Sequence, residues 1–421
     1  MSVLIIEGPS VLSGETTVHG AKNSALPIMA ASVLLKGETV LKSCPKLSDV
    51  ESTARILRHL GFKCARQDYH GEKNVVLISG YPKRSEIPHY MMRKMRSSVV
   101  FLGALLGRIG EARLSFPGGC DIGARPIDLH LSSLRRLGVE INEKHGCIIC
   151  TAPKGIIGDY VTLSFPSVGA TENIMLASVI SKGTTVIENA AREPEIIDLA
   201  NFLNACGARI SGQGESTLII EGVSSLYGCE YKIMPDRIVA ATYIACCGAA
   251  GGEIVLKNSP NQYILPMLSV FEDAGCVLSI YKNSIYVKAP KKLLSPQMIR
   301  TMPYPGFPTD AQAQVMAMST VAEGTTVFVE NIFENRFQHI PELVRLGAKI
   351  KAEGKVAVVE GVKNLSGAFV KAPDLRAGAA LVTAGLAAGG ITTVGGIEYI
   401  DRGYESIERD ISQLGGKIKR V

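Results

Sequence analysis

Six stretches of this chain are apolar nearly all the way round a helix: Lys22–Leu35, Ser97–Ile109, Ser167–Ile180, Asp236–Ala250, Asp310–Ala322 and Asp374–Ala388. A helix without a polar face has to be buried on every side. Between them runs a second pattern, written six times: a Gly-led strand, a turn, a helix apolar on one face only, then a glycine and a β-branched strand. These copies begin at Gly37, Gly118, Gly183, Gly251, Gly324 and Gly389, and their helices stop at Gly61, Gly138, Gly207, Gly275, Gly347 and Gly415. Glycine at a helix end takes the left-handed conformation at no steric cost. The period is roughly 70 residues, longer than the ~20–50 of solenoid repeats, so each copy reads as a small α/β module.

Buried helices wrapped by strands and one-faced helices predict an α/β fold of two inside-out α/β barrels, each of three βαβαββ-type modules. The modules divide into residues 22–234 and residues 1–21 with 235–421, the chain crossing near Gly20–Ala21 and around Tyr231–Pro235. The first strand, Val3–Glu7, has no module of its own and is expected beside the C-terminal strand Gly416–Val421. The apolar run from Ala377 is broken at Gly389–Gly390, short of the ~20 residues of a membrane span. Its recurrence in all six modules also assigns it to a core.

Composition narrows the class. The chain has 421 residues, 46% of them hydrophobic and 20% charged, enough for two or three domains of a soluble globular protein. A net charge of +6 without a polybasic run argues against a nucleic-acid partner and favours an anionic small molecule. The N-terminus, MSVLIIEGPSVLSGETTV, has no basic segment leading into an apolar core, so no signal peptide is expected. Ten cysteines are irregularly spaced. Cys147 and Cys150 form a single C-x-x-C that reads as an apolar strand, and Cys246–Cys247 fall in an apolar helix. A reducing, cytoplasmic setting accounts for all ten.

Candidate chemistry collects where the apolar helices begin. Helix N-termini carry unpaired N–H groups and the positive end of a dipole, so they attract anions. Ser167, Asp236 and Asp374 are explained as well by helix capping as by function. Lys22, Arg96, Arg237 and Arg376 are not, because a cation in a first turn opposes the dipole and calls for an anion. Arg125, Arg336 and Arg402 add cations on turns. A cleft between the two domains that gathered Lys22, Arg96, Arg125, Arg336, Arg376 and Arg402 would suit a ligand with several negative charges. Asp310 is the candidate base, with a capping role as the alternative. The loop Pro117–Gly118–Gly119–Cys120–Asp121–Ile122–Gly123–Ala124–Arg125–Pro126 sets a thiol five residues from a guanidinium, which can lower the thiol pKa. No phosphate loop, dinucleotide fingerprint or metal-ligand cluster is written in the chain, so neither cofactor nor metal is expected.

With these residues assembled, the chain resembles the enolpyruvyl transferases, and among them the branch whose acceptor is UDP-N-acetylglucosamine. The resemblance is carried by GAKNSALPI (Gly20–Ile28), MRSS (Met95–Ser98), PGGCDIGARPIDLH (Pro117–His130), SVGATENIMLA (Ser167–Ala177) and ENAAREPEI (Glu188–Ile196). It continues through PDRI (Pro235–Ile238), FPTDAQAQ (Phe307–Gln314), ENRFQH (Glu334–His339), DLRAGAALV (Asp374–Val382) and IDRGYE (Ile400–Glu405), nearly the whole length of the chain. It implies transfer of the enolpyruvyl group of phosphoenolpyruvate to the sugar 3′-hydroxyl, the first committed step of peptidoglycan synthesis. It also implies the roles. Asp310 takes the hydroxyl proton, and Cys120 is the acid toward C3 and the target of fosfomycin, on a loop that closes over the substrates. Lys22, Arg125 and Arg402 hold the phosphate, with Asn23, Arg96, Arg336 and Arg376 around phosphoenolpyruvate. Asn23, Arg96, Arg125, Pro126, Asp128, Leu129, Ser167, Val168, Gly169, Asp310 and Ile332 match positions that bind the nucleotide-sugar. The chain departs from the family pattern at Val239–Ala240–Ala241, where Glu and then Gly are expected, and at Phe165, where some members carry Lys. The alternatives are a relative that uses shikimate 3-phosphate, against which the Cys120 loop argues, and a silent paralogue that binds UDP-sugars. Protein partners are not specified by the sequence.

Overall fold

In the computed structural model, residues 2–115, 127–144 and 146–421 are described. The chain forms two compact units. One contains residues 20–115 and 127–234, the other residues 2–19 and 235–421. The passages between them fall after His19 and after Met234. The Ala21 N–H donates to the Met234 carbonyl at 2.7 Å in the first unit, and the Asp236 N–H to the His19 carbonyl at 2.9 Å in the second.

The six all-apolar stretches are the six buried helices: α1 (Lys22–Ala31), α2 (Phe101–Ile109), α3 (Val168–Ser178), α4 (Arg237–Ala250), α5 (Thr309–Ser319) and α6 (Leu375–Ala387). Two are shorter than their apolar runs because a 3₁₀ turn takes over, at Ser32–Leu34 after α1 and at Arg96–Val100 before α2. Every residue of α6 from Leu375 to Leu386 is buried, as is every residue of α4 from Arg237 to Gly248. In the second unit α4, α5 and α6 all pack on one another. In the first, α2 and α3 approach so closely that a Cβ on Gly103 would lie 2.2 Å from the Asn173 carbonyl oxygen.

Around each trio of helices stand three four-stranded sheets, which makes each unit an inside-out α/β barrel. One module shows the plan: strand Tyr160–Thr162, α3, strand Thr184–Glu188, helix Pro194–Ala205, then strands Arg209–Ser211 and Thr217–Glu221. The first two strands pair in parallel, and the last strand lies antiparallel between the second and third. Three modules borrow strands from distant sequence, one of them by setting Leu12–Thr17 parallel to Gly252–Lys257 in the second unit. Glu230–Lys232 runs parallel to Glu38–Lys42 in the first unit. In the second, Leu4–Gly8 lies antiparallel between Gly390–Gly395 and Lys417–Arg420, so the expected pairing of the first strand with the last is found.

The glycines that end the one-faced helices, Gly61, Gly138, Gly207, Gly275, Gly347 and Gly415, all have φ between 81° and 114°. In the second copy a strand runs over Glu111–Ser115, led by Gly110 at φ 72°; the start expected at Gly118 lies outside the described residues. Cys147–Thr151 is the expected strand, with Cys150 buried. Val239, Ala240 and Ala241 are all buried in α4, so the departure from the family pattern there is a change of core packing. Among the described residues no helix is long and apolar enough to cross a membrane.

Candidate active site

The helix starts behave in three ways. Ser167, Asp236 and Asp374 are N-caps. The Ser167 hydroxyl accepts from the Ala170 N–H at 3.3 Å, Asp236 from Ile238 and Val239 at 2.8 and 3.1 Å, and Asp374 from Arg376 and Ala377 at 2.7 and 3.0 Å. Capping is thus shown for all three.

The cations at the helix starts revise the sequence argument. They need an anion, and for Lys22 and Arg376 it is a carboxylate of the protein itself. Lys22 opens α1, is buried, and places Nζ 2.6 Å from Asp49 Oδ2; Asp49 is itself buried in the first turn of helix Ser48–Leu60. Arg376, buried at the start of α6, donates from Nη2 to Asp310 Oδ2 at 2.8 Å. Arg237 lies over the Tyr304 ring at 5.7 Å. Arg96, half-buried at the start of its 3₁₀ turn, makes no hydrogen bond or ion pair among the described residues, and burial lowers its pKa.

Asp310 is not a cap. The N-cap of α5 is Pro308, and the Asp310 side chain turns to two guanidinium groups instead. Arg336 Nη2 reaches Oδ1 at 2.8 Å and Arg376 Nη2 reaches Oδ2 at 2.8 Å, while Arg336 also donates to the Thr309 carbonyl at 3.2 Å. Both arginine side chains are about 5% exposed or less, and Asp310 is 28% exposed, so the carboxylate presents its open side to solvent between two buried cations. Burial works against the charge on Arg376, but Asp310, Tyr404 and Asp236 more than offset it, and its pKa lies above the ordinary value. The structure therefore gathers three of the predicted residues, Asp310, Arg336 and Arg376, in one cluster.

Sequence reasoning missed the residue that frames this cluster. Glu330 is 1% exposed. Its Oε1 accepts from the N–H groups of Ile332 and Phe333 at 2.9 and 3.0 Å, and its Oε2 accepts from the Thr309 hydroxyl at 3.0 Å. Asn331 fixes the same turn from the other side, its N–H donating to Thr301 Oγ1 at 2.9 Å. Half-buried Ile332 thus sits on a turn tied to the residue preceding Asp310. Arg402 lies in the turn after helix Ile397–Ile400.

In the first unit, Asp128 and Leu129 begin helix Asp128–Arg136, which packs on α3, where half-buried Ser167, Val168 and Gly169 stand at the start. Gly169 sits beneath His130, where a Cβ would come 2.9 Å from ring carbon Cε1. His130 Nδ1 accepts from Asn173 Nδ2 at 2.8 Å. Burial, with help from Arg96, pushes its pKa down to about 4, so the ring is neutral and carries its proton on Nε2. The Asn173 Oδ1 accepts from the Gly103 N–H at 2.6 Å, locking α2 to α3. Asn23 is exposed at the second position of α1, and Phe165 is 43% exposed two residues before Ser167. Cys120, Arg125 and Pro126 lie outside the described residues. Asp49, His130 and Asn173 could have been found only from tertiary partners, because each reads in sequence as an ordinary helix residue.

Comparison with known proteins gives a consistent set. The family model described as EPSP synthase (3-phosphoshikimate 1-carboxyvinyltransferase) matches residues 6–411. A protein of Caldanaerobacter subterraneus named UDP-N-acetylglucosamine 1-carboxyvinyltransferase 2 is 50% identical over 416 residues, covering 99% of each chain. A protein of the same name from Carboxydothermus hydrogenoformans is 48% identical over 423 residues, covering 100% of each. Among solved structures, the enolpyruvyl transferase NikO from Streptomyces tendae superposes with a TM-score of 0.89 at 24% identity, covering 100% of this chain and 99% of that one. EPSP synthase from Acinetobacter baumannii follows the same fold at a TM-score of 0.78, 18% identity and the same coverage.

Proposed function

Because the chain belongs to the EPSP synthase (3-phosphoshikimate 1-carboxyvinyltransferase) family, we propose that it transfers the enolpyruvyl group of phosphoenolpyruvate to the 3′-hydroxyl of UDP-N-acetylglucosamine, releasing phosphate. The acceptor assignment is carried by one observation, the full-length identity of about half with relatives named for that acceptor. On this reading the enzyme works in the cytoplasm, at the entry to peptidoglycan synthesis.

The reaction adds an alcohol across a double bond and then eliminates phosphate. The sugar oxygen bonds to C2 of phosphoenolpyruvate while its proton passes to Asp310, and C3 takes a proton from an acid, the role given to Cys120. The resulting ketal loses phosphate from C2 and a proton from C3, which restores the double bond as an enol ether. Lys22, Arg125 and Arg402 are assigned to the phosphate, with Asn23, Arg96, Arg336 and Arg376 supporting. Asn23, Arg96, Arg125, Pro126, Asp128, Leu129, Ser167, Val168, Gly169, Asp310 and Ile332 are assigned to the nucleotide-sugar, and fosfomycin is expected to alkylate Cys120.

The Asp310 cluster supports this reading with a physical argument. A carboxylate held by two guanidinium groups is a poor base, since each donor stabilises its charged form. Phosphoenolpyruvate brings a phosphate and a carboxylate that compete for the same donors. Each hydrogen bond that Arg336 or Arg376 shifts to the substrate makes Asp310 more basic, so the base is strengthened when the substrate is bound. Phosphate release from phosphoenolpyruvate, measured without added metal, tests the proposal. Release is expected with UDP-N-acetylglucosamine and not with shikimate 3-phosphate. Release with shikimate 3-phosphate alone moves the protein to the other branch, and release with neither makes it a silent binder.

A further inference from the structure

Glu330 has no role in the reaction as written above, yet it is a fully buried carboxylate. Among the described residues it has no cationic partner within 4.0 Å. Taking such a group out of water is unfavourable unless its oxygens are well supplied with donors. Glu330 has three, all neutral: two N–H groups of the turn that bears Ile332, and the Thr309 hydroxyl. One side chain therefore joins two elements, the turn and the first residue of α5.

What makes the link informative is the place where it lands. The first turn of α5 has no side-chain cap, so the direction of Asp310 depends on how that turn is anchored. Thr309 is anchored twice by the facing segment: its hydroxyl by Glu330, and its carbonyl by Arg336 Nη2, which also holds Asp310 Oδ1. We propose that Glu330, acting through the Thr309 hydroxyl, is a positioning residue that aims the Asp310 carboxylate at the acceptor hydroxyl and shapes the Ile332 turn with its other oxygen. The inference rests on the enolpyruvyl-transfer reading, in which Asp310 takes the hydroxyl proton. A base displaced by about 1 Å loses on the order of 10²-fold in rate.

The test separates the two arms. Thr309→Val keeps the shape of the side chain and deletes only the hydroxyl, so kcat for phosphate release should fall by about 10-fold or more, with KM for both substrates nearly unchanged. Thr309→Ser restores the hydroxyl and should restore kcat. In an Asp310→Asn background, Thr309→Val should cost nothing further, because the group it aims is gone. Glu330→Gln disturbs both arms and should lower kcat and raise KM for UDP-N-acetylglucosamine together. The inference is overturned if Thr309→Val turns over at the wild-type rate, if Thr309→Ser is as slow as Thr309→Val, or if Thr309→Val slows the Asp310→Asn enzyme as much as the wild type. Wild-type protein that releases no phosphate with either acceptor overturns the functional reading, and this inference with it.

Discussion

Replacing Asp310 by Asn should damage turnover and stability by separate, measurable amounts. The substitution is nearly isosteric but removes the charge that faces Arg336 and Arg376, each paired at 2.8 Å and each about 5% exposed or less at the side chain. Removing one partner of a buried pair costs about 3–5 kcal/mol, because the remaining charge stays buried. Asp310 itself is 28% exposed, so water reaches the vacated side. The loss should therefore fall below that range, at about 2–3 kcal/mol. For a unit of about 150–250 residues this lowers the melting temperature by roughly 4–12 °C. A general base is worth about 10²–10⁴ in rate, so kcat should fall by that factor. Calorimetry suits the stability measurement, since the chain has no tryptophan. Only the transition of the unit containing Asp310 should move. Adding Arg376→Met to Asp310→Asn should recover part of the lost stability, because removing both members of a buried pair is close to neutral. A wild-type melting temperature for Asp310→Asn refutes the buried-cation argument, and a kcat within a few-fold of wild type refutes the base.

Three further outcomes follow from the same structure. The Glu172 carboxyl, buried on α3, has its pKa pushed up to about 8 from an ordinary 4.5, first by burial and then by Glu195 and Glu193. The folded protein keeps a proton that the unfolded chain gives up, so this contribution to stability is full below pH 4.5 and is lost as pH rises to about 8; Glu172→Gln should flatten the melting-temperature profile across that window. Burial pushes the thiols of Cys64 and Cys276 up to about 11 and those of Cys150, Cys246 and Cys247 up to about 12, so none should alkylate in the folded protein at neutral pH. Fosfomycin should label Cys120 and Cys120→Ser should abolish it. Peptide mapping that finds the adduct elsewhere removes the assignment, with Cys229, whose thiolate is favoured by a hydrogen bond from Cys206, as the first competitor. Gly103→Ala drives a methyl to 2.2 Å from the Asn173 carbonyl between two buried helices and should cost about 1–3 kcal/mol in a thermal melt.

The division between what was legible in sequence and what was not follows the range of the interactions. Helix ends at Gly61 or Gly275 are decided within a few residues by backbone sterics, and all six appear where the glycines predict them. The apolar faces of α4 and α6 needed only the helical period, since a helix with no polar side has one possible environment. After α2 a strand follows a glycine signal as elsewhere, here Gly110. Electrostatic partners are another matter. Lys22 reads in sequence as a cation in need of an anion, but nothing nearby in sequence names Asp49, 27 positions away on another helix. Asp310 could be read as a cap or a base, and only the positions of Arg336 and Arg376 exclude the first. Glu330 carried no signal at all, because one glutamate at the end of a strand is ordinary until its burial is known. Residue type at a helix start thus reveals that charge must be balanced, and the fold decides whether the protein or its ligand balances it. In the Asp310 cluster the protein balances the charge, and on the proposed function the same arginines are those a trianionic substrate would draw away.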